Sequence, residues 1–254
     1  MPPDSTQTWH HGLVATCWVD THSHLDRFEP AERAHLLERA AESGVAVVAV
    51  GVDSDSSRAA LEIAGAAVGI HPVHAAVADL HALTSLVSDP RAVAVGECGF
   101  DTEGPPARVQ AAVFSAQARI ARALRLPLIL HINGEGAFST VERHSRDIEE
   151  LTVVRHYFTG DDAEAAWHAE RGHFLSFGNP LRREAALQEI ARSYPQQLLL
   201  IETDSYPLPG RQTAPHDVVL VAEALALTRG WDAEETSRQL LANTRKAFPR
   251  LVLS

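Results

Sequence analysis

Histidine and carboxylate residues recur at one kind of place in this chain. His22 and His24 follow the apolar run 14–19. His71 follows the run 66–70, Glu97 follows 92–95, and His131 follows 128–130. His156 follows 152–154, and Asp204 follows 198–201. Imidazole and carboxylate together suit Zn, Mn, Fe or Co better than Ca. His22 and His24 stand two apart, so an extended strand turns both side chains to one side. That makes a two-nitrogen clamp for one ion. Glu97 has two oxygens and can bridge two ions, with His131 and His156 supplying nitrogens to the second. Asp204 can bind the first ion or take a proton from its water. Two ions about 3.5–4 Å apart activate water and stabilise both the attacking and the leaving oxygens.

These residues need elements that bring them together. The apolar runs 14–19, 45–50, 66–70, 92–95, 128–130, 152–154, 174–177 and 198–201 read as strands. Segments of helical composition alternate with them: 31–42, 56–64, 79–87, 108–124, 138–147, 162–171, 183–193, 217–228 and 233–247. In the helix over 108–124, Val109, Ala112, Val113, Ala116, Ile120 and Leu124 share one face. Strands alternating with helices specify a parallel sheet with covered faces. Eight such units in about 235 residues predict a (β/α)8 TIM-type barrel, α/β in class, as one domain over residues 14–254. In a barrel, every strand end named above opens on the same mouth. An open doubly wound sheet would bring a glycine-rich turn after the first strand. Here that strand runs into Asp20-Thr21-His22-Ser23-His24.

Length and composition set bounds. The chain has 254 residues, 45% hydrophobic and 22% charged, which is ordinary globular composition. Two cysteines, Cys17 and Cys98, are no disulfide framework. No apolar stretch is long enough to span a membrane, and residues 1–13 read as a flexible polar tail without a secretory pattern. A cytoplasmic monomer is the expectation. The net charge is −11, so a basic face for nucleic acid would have to be local. Lys246 is the only lysine, which leaves almost no room for Schiff-base chemistry or a carbamylated lysine bridge.

Other residues read more plainly. Cys98 reads as a small buried barrel residue, and Trp9, Trp18, Trp167 and Trp231 as packing. Asp161 and Asp162 cap a helix at its positive end, and Asp232 caps the last one. His71 and His74, in Gly69-Ile70-His71-Pro72-Val73-His74, are candidates for the substrate pocket.

From about Val19 to Phe248 the chain resembles the TatD-like metal-dependent hydrolases of the amidohydrolase superfamily. The resemblance rests on Asp20-Thr21-His22-Ser23-His24-Leu25-Asp26, Gly69-Ile70-His71-Pro72 and Val95-Gly96-Glu97-Cys98-Gly99-Phe100-Asp101. It continues through Pro127-Leu128-Ile129-Leu130-His131, His156-Tyr157-Phe158-Thr159-Gly160, Leu175-Ser176-Phe177-Gly178 and Leu199-Leu200-Ile201-Glu202-Thr203-Asp204-Ser205, and the ending from Asn243-Thr244 to Phe248 is similar too. It implies a barrel with two divalent ions, zinc, manganese or magnesium, held by His22, His24, Glu97, His131, His156 and Asp204. It also implies phosphodiester hydrolysis at DNA ends, with Asp204 and Glu97 as the catalytic carboxylates. The loops depart from the family. After His131 the chain reads Ile132-Asn133-Gly134-Glu135-Gly136, without the usual cation. After Asp204 it reads Ser205-Tyr206-Pro207-Leu208-Pro209-Gly210-Arg211, with Pro and Tyr inverted and the loop shortened.

Two activities fit this pattern. A nuclease acting on DNA or a nucleotide phosphodiester needs cationic donors at the rim. Arg182, Arg183 and Arg211 are candidates, with Tyr206 beside the last. A small-molecule amidohydrolase would attack an amide, lactone or ester with the same machinery, and compact acidic loops suit it. The breadth of the resemblance favours the first.

Overall fold

Short runs of valine, isoleucine, leucine and alanine make the strands of this protein, and nearly all of their residues are buried. The computed structural model describes residues 17–208 and 211–253 and, of Arg211 and Gln212, the backbone only. The tail expected over residues 1–13 lies outside the described residues. The strands are β1 (Trp18–Ser23), β2 (Val45–Val50), β3 (Ala66–Val68), β4 (Ala92–Asp101), β5 (Leu128–Asn133), β6 (Val153–Arg155), β7 (Phe174–Phe177) and β8 (Leu199–Ile201). Every residue of β1, β3, β4, β6, β7 and β8 is buried, as in a parallel sheet covered on both faces.

The eight strands pair in parallel and in chain order. The seam between β8 and β1 is drawn together at the carboxyl ends. Ser23 bridges Ser205, the Asp204 N–H donates to the His22 carbonyl at 3.0 Å, and the His24 N–H donates to the Ser205 carbonyl at 2.8 Å. The (β/α)8 barrel expected from the alternation is the fold.

Helices α1 (Pro30–Glu42), α2 (Ser54–Leu61), α3 (Leu80–Val87), α4 (Ala107–Leu124), α5 (Ala137–Arg143), α6 (Asp162–Glu170), α7 (Ala185–Ser193), α8 (Val218–Arg229) and α9 (Ala233–Ala247) surround it. Asp161 and Asp232 accept from the N–H groups three residues on, so the expected caps of α6 and α9 are present. Among the described residues no helix is long and apolar enough to cross a membrane.

Several boundaries differ from the sequence reading. β1 begins at Trp18 and continues through the polar run to Ser23, so His22 lies inside a strand. β4 does not stop at Val95 but continues to Asp101. The helix expected over 138–147 is α5 followed by a 3-10 turn, Ser145–Asp147. After β8 a small hairpin forms, Pro207–Leu208 against Arg211–Gln212, which the sequence reading did not foresee. The core-facing side of α4 is also rotated. Ala112 is exposed, and the buried side runs through Gln110, Phe114, Gln117 and Ala121.

The two glutamines on α4 serve the mouth. Gln117 accepts from the Ile70 N–H at 2.8 Å and donates to the Ile70 carbonyl at 2.9 Å, which fixes the residue before His71. Gln110 grips both backbone groups of Asp101 in the same way, at 2.9 and 2.8 Å. A buried amide that fills a backbone donor and acceptor together acts like one rung of a sheet.

Outside the barrel, His168 on α6 and His173 ahead of β7 face each other, Nδ1 to Nδ1 at 2.9 Å. Both are buried. Burial, with the nearby His168 and Arg171, pushes His173 down to about 3. The unfolded chain therefore binds this proton near pH 6.5 and the folded one does not. The neutral pair contributes its full stability above about pH 6.5, and that contribution is lost as the pH falls toward 3, by up to about 1.4 kcal/mol per unit. Urea unfolding at pH 7, 6, 5 and 4 should show a flatter acid limb for His173→Gln than for wild type. Equal slopes would contradict the assignment.

Candidate metal centre

β1 carries the first two imidazoles into the mouth. His22 is wholly buried, and its ring stacks on that of His156 with centroids 4.0 Å apart. His24 Nδ1 donates to the Val50 carbonyl at 3.0 Å, because a carbonyl can only accept, and this leaves Nε2 to face inward. There it meets Asp204 Oδ1 at 3.3 Å. Asp204 has a left-handed backbone, φ 52°, a conformation of some cost that collects at functional sites.

Glu97 on β4 sits between two groups of histidines. Its Oε2 lies 2.5 Å from His22 Nε2 and 3.6 Å from His24 Nε2. Its Oε1 lies 3.0 Å from His71 Nε2, 3.2 Å from His131 Nδ1 and 3.9 Å from His156 Nε2. Burial alone would raise this carboxyl; the surrounding histidines hold it well below the usual range. His71 Nδ1 accepts the Val73 N–H at 3.2 Å, so its proton sits on Nε2 and points to Glu97.

A layer of carboxylates orients these rings. Asp101 Oδ2 is 2.9 Å from His131 Nε2, and Glu202 Oε1 is 3.3 Å from His156 Nδ1. Asp20 accepts from the Thr203 N–H at 2.8 Å and from the Thr203 hydroxyl at 2.5 Å, tying β1 to the loop that bears Asp204. Burial pushes Asp20 up to about 7 and Glu202 well above its usual range. The hydrogen bond to His131 draws Asp101 down to about 2. His24 and His131 are themselves pushed up to about 9: burial opposes protonation, but Asp204 and Glu97 around His24, and Asp101 and Glu97 around His131, outweigh it. A cation bound among these carboxylates would take the place of the protons on His24 and His131.

This donor set fits divalent cations. His22, His24 and Asp204 bring ligand atoms within 4.8 Å of one another, and so do Glu97, His131 and His156. His22 Nε2 and Glu97 Oε2 are buried with no hydrogen bond. They stand 2.5 Å apart yet out of hydrogen-bond alignment, an approach that a cation held by both would satisfy. The two groups could each hold one ion, with an oxygen of Glu97 toward each.

Among the other candidates, Tyr206 stands beside His24, ring centroids 6.3 Å apart, with the Arg27 guanidinium 5.7 Å above its ring. His74 is half-buried, its ring 6.4 Å from that of His71. Arg182 and Arg183 are exposed after β7, Arg182 on Asn179 at 3.3 Å. Arg211 pairs with Leu208 through its backbone, and its side chain lies outside the described residues. Cys98 is buried against the Ile129 carbonyl, a packing residue. The orienting carboxylates Asp20, Asp101 and Glu202, and Arg27 on the rim, carry roles that sequence reasoning missed. Asp20, Asp101 and Glu202 stand inside the quoted motifs, and Arg27 directly follows one of them.

Barrel and centre together define a metal-dependent hydrolase. The family model for the TatD related DNases matches residues 19–249, and the chain belongs to that family. An uncharacterized metal-dependent hydrolase of Bacillus subtilis, YabD, is 30% identical over 249 residues, covering 90% of this chain and 98% of its own. The 3'-5' ssDNA/RNA exonuclease TatD of Erwinia tasmaniensis is 30% identical over 250 residues, covering 85% and 93%. The crystal structure of the Escherichia coli TatD homolog YjjV superposes with a TM-score of 0.81 at 25% identity, covering 92% and 98%.

Two glycines let β4 carry Glu97 so close to β5. A Cβ on Gly99, where φ is 150°, would meet the His131 carbonyl oxygen at 1.9 Å. Gly99→Ala must therefore separate β4 from β5 and move His131 off Glu97. The expected cost is about 3 kcal/mol or more, a melting temperature lower by roughly 6–12 °C. Melting at the wild-type temperature would refute the constraint.

Proposed function

We propose that the protein is a two-metal phosphodiesterase that removes nucleotides from the ends of single-stranded nucleic acid. The observation that carries this reading is Glu97, whose two oxygens face separate histidine groups. The likeness to an ssDNA/RNA exonuclease over most of both chains supports the substrate class. In this reading His22, His24, Asp204 and Glu97 would hold one ion, and Glu97, His131 and His156 would hold the other; zinc, manganese and magnesium are the candidates. When bound, such a pair makes water a nucleophile at neutral pH and neutralises charge on the scissile group.

The chain's own residues do the rest. Asp204 is the ligand carboxylate that reaches solvent, its side chain 21% exposed, and it takes the proton of the attacking water. His71, its Nε2–H held on Glu97 Oε1 at 3.0 Å, stands beside the His131 group and lines the place of the scissile group. Tyr206, with Arg27 stacked on it, offers a face for the terminal base, since every base has a π-face and needs no specific edge. His74, beside His71, and Arg211, on the loop after Asp204, are the further substrate-binding candidates of this reading. The assignment to a cytoplasmic compartment and to a monomer belongs to this reading. The cation-free loop after β5 favours a small ester, amide or lactone as the second reading.

The test is cleavage of a short single-stranded DNA with Mg, Mn, Zn or Co, resolved on a gel. Wild type should give a ladder, a chelator should stop it, and Glu97→Ala should leave less than about 1% of the rate. No cleavage with any metal would sink the nuclease, and turnover of small esters would then establish the second reading.

A further inference from the structure

The imidazoles of His131 and His156 come from neighbouring strands, yet the ladder between those strands stops below them. β5 and β6 pair at Leu128 with Val153, Ile129 with Val154 and Leu130 with Arg155. The last rung is the His156 N–H on the Leu130 carbonyl, 3.2 Å. Two residues further along β5, the Ile132 carbonyl faces the same way. Its next rung would be the Phe158 N–H, but Tyr157 adopts a left-handed backbone, φ 42°, and the Phe158 N–H turns to Ser176 on β7 instead. At the level of the centre, the Phe158 N–H that would continue the ladder is thus committed to β7.

Arg155 fills the gap. Side chains alternate along a strand, so while His156 points into the mouth, Arg155 points outward beneath α6. It is 3% exposed. One terminal nitrogen donates to the His156 carbonyl, the other to the Ile132 carbonyl at 3.2 Å, and Nε donates to Glu164 Oε1 at 2.9 Å. Glu164 is fixed in turn, because Asp161 accepts its N–H at 2.9 Å and the loop at Gly160 closes over it so tightly that a Cβ there would meet Oε2 at 2.3 Å. Burial alone would raise the Glu164 carboxyl, but His168 and the Arg155 charge hold it below its ordinary range. A buried ion pair of this kind is a poor source of stability compared with an apolar pair of the same size. What it does provide is geometry: a planar fork fixes two carbonyls at once, which an ammonium cannot do.

We propose that Arg155 is a positioning residue for the His131/His156 half of the centre. By tying the carbonyl of His156 to the carbonyl that follows His131, it sets the gap between the two rings, where Nδ1 and Nε2 stand 3.0 Å apart. That gap governs how tightly this half holds its cation. The inference rests on the two-metal reading above. It goes beyond it in assigning control of one metal, and not of the other, to a residue that touches neither.

The test is calorimetric titration of the metal-free full chain with Mn2+. The step lost in His156→Ala identifies the half in question. Arg155→Lys keeps the charge and loses the fork; Arg155→Leu with Glu164→Leu removes both buried charges together, so that no lone charge is left to unfold the protein. Both variants should melt near wild type and weaken that one step by about 10–100-fold, with the other step unchanged. Unchanged affinity at both steps would overturn the proposal, and so would equal weakening of both, which is the mark of general loosening. If the double variant fails to fold, Arg155→Lys alone decides. A wild type that takes up no metal refutes the two-metal reading itself, an outcome distinct from two intact steps in the variants.

Discussion

Glu97 is a carboxylate buried at the mouth of a barrel, and the nitrogens of His22, His24, His71, His131 and His156 all lie within 4 Å of its oxygens. Taking a carboxylate out of water costs several kcal/mol unless cations and donors replace the solvent. The rest of the centre supplies that replacement. Glycines at positions 96 and 99 let the β4 backbone press against β5, where any Cβ would strike the carbonyls of Ile129 and His131. On α4, Gln117 pins the residue before His71 and Gln110 pins the end of β4. The carboxylates of Asp101 and Glu202 hold two of the rings by their outer nitrogens, as metal-bound histidines are commonly held.

The same constraint explains why polar residues sit deep in the sheet. Asp20, Thr21, His22 and Ser23 are buried in β1 with almost no exposure. Asp20 and Thr21 are satisfied by side-chain partners across the seam, Ser23 joins it through its backbone, and the His22 ring, which makes no hydrogen bond, faces the ligands of the centre. Thr21 donates to the Ile201 carbonyl and meets Ser176, Asp20 holds Thr203, and Ser23 bridges Ser205. The barrel closes through the residues that serve the site, so closure and the placement of Asp204 are one event.

Much of this was legible in the chain. Once apolar runs alternate with helices, parallel topology turns a position after a strand into a position at one mouth, and that rule gathers His22, His24, His71, Glu97, His131, His156 and Asp204 into one cluster. The boundaries were less legible where polar or glycine residues continue a strand. β4 reads as ending at Val95 because Gly96 and Gly99 look like breakers, whereas close packing against β5 is what requires them. The orienting layer left almost no local signal. Asp101 meets His131 across 30 residues, Glu202 meets His156 across 46, and Asp20 meets Thr203 across 183. No spacing rule reaches that far, and Arg155 ahead of His156 reads as one more charge until the missing rung beside it is seen.

The central claim is that one carboxylate serves two cations, one oxygen to each. Anomalous diffraction from crystals soaked in Mn2+ tests it most directly. The account predicts two peaks about 3.5–4 Å apart, one against His22, His24 and Asp204, the other against His131 and His156, with Glu97 between them. A single peak, or two that leave Glu97 out, would contradict it.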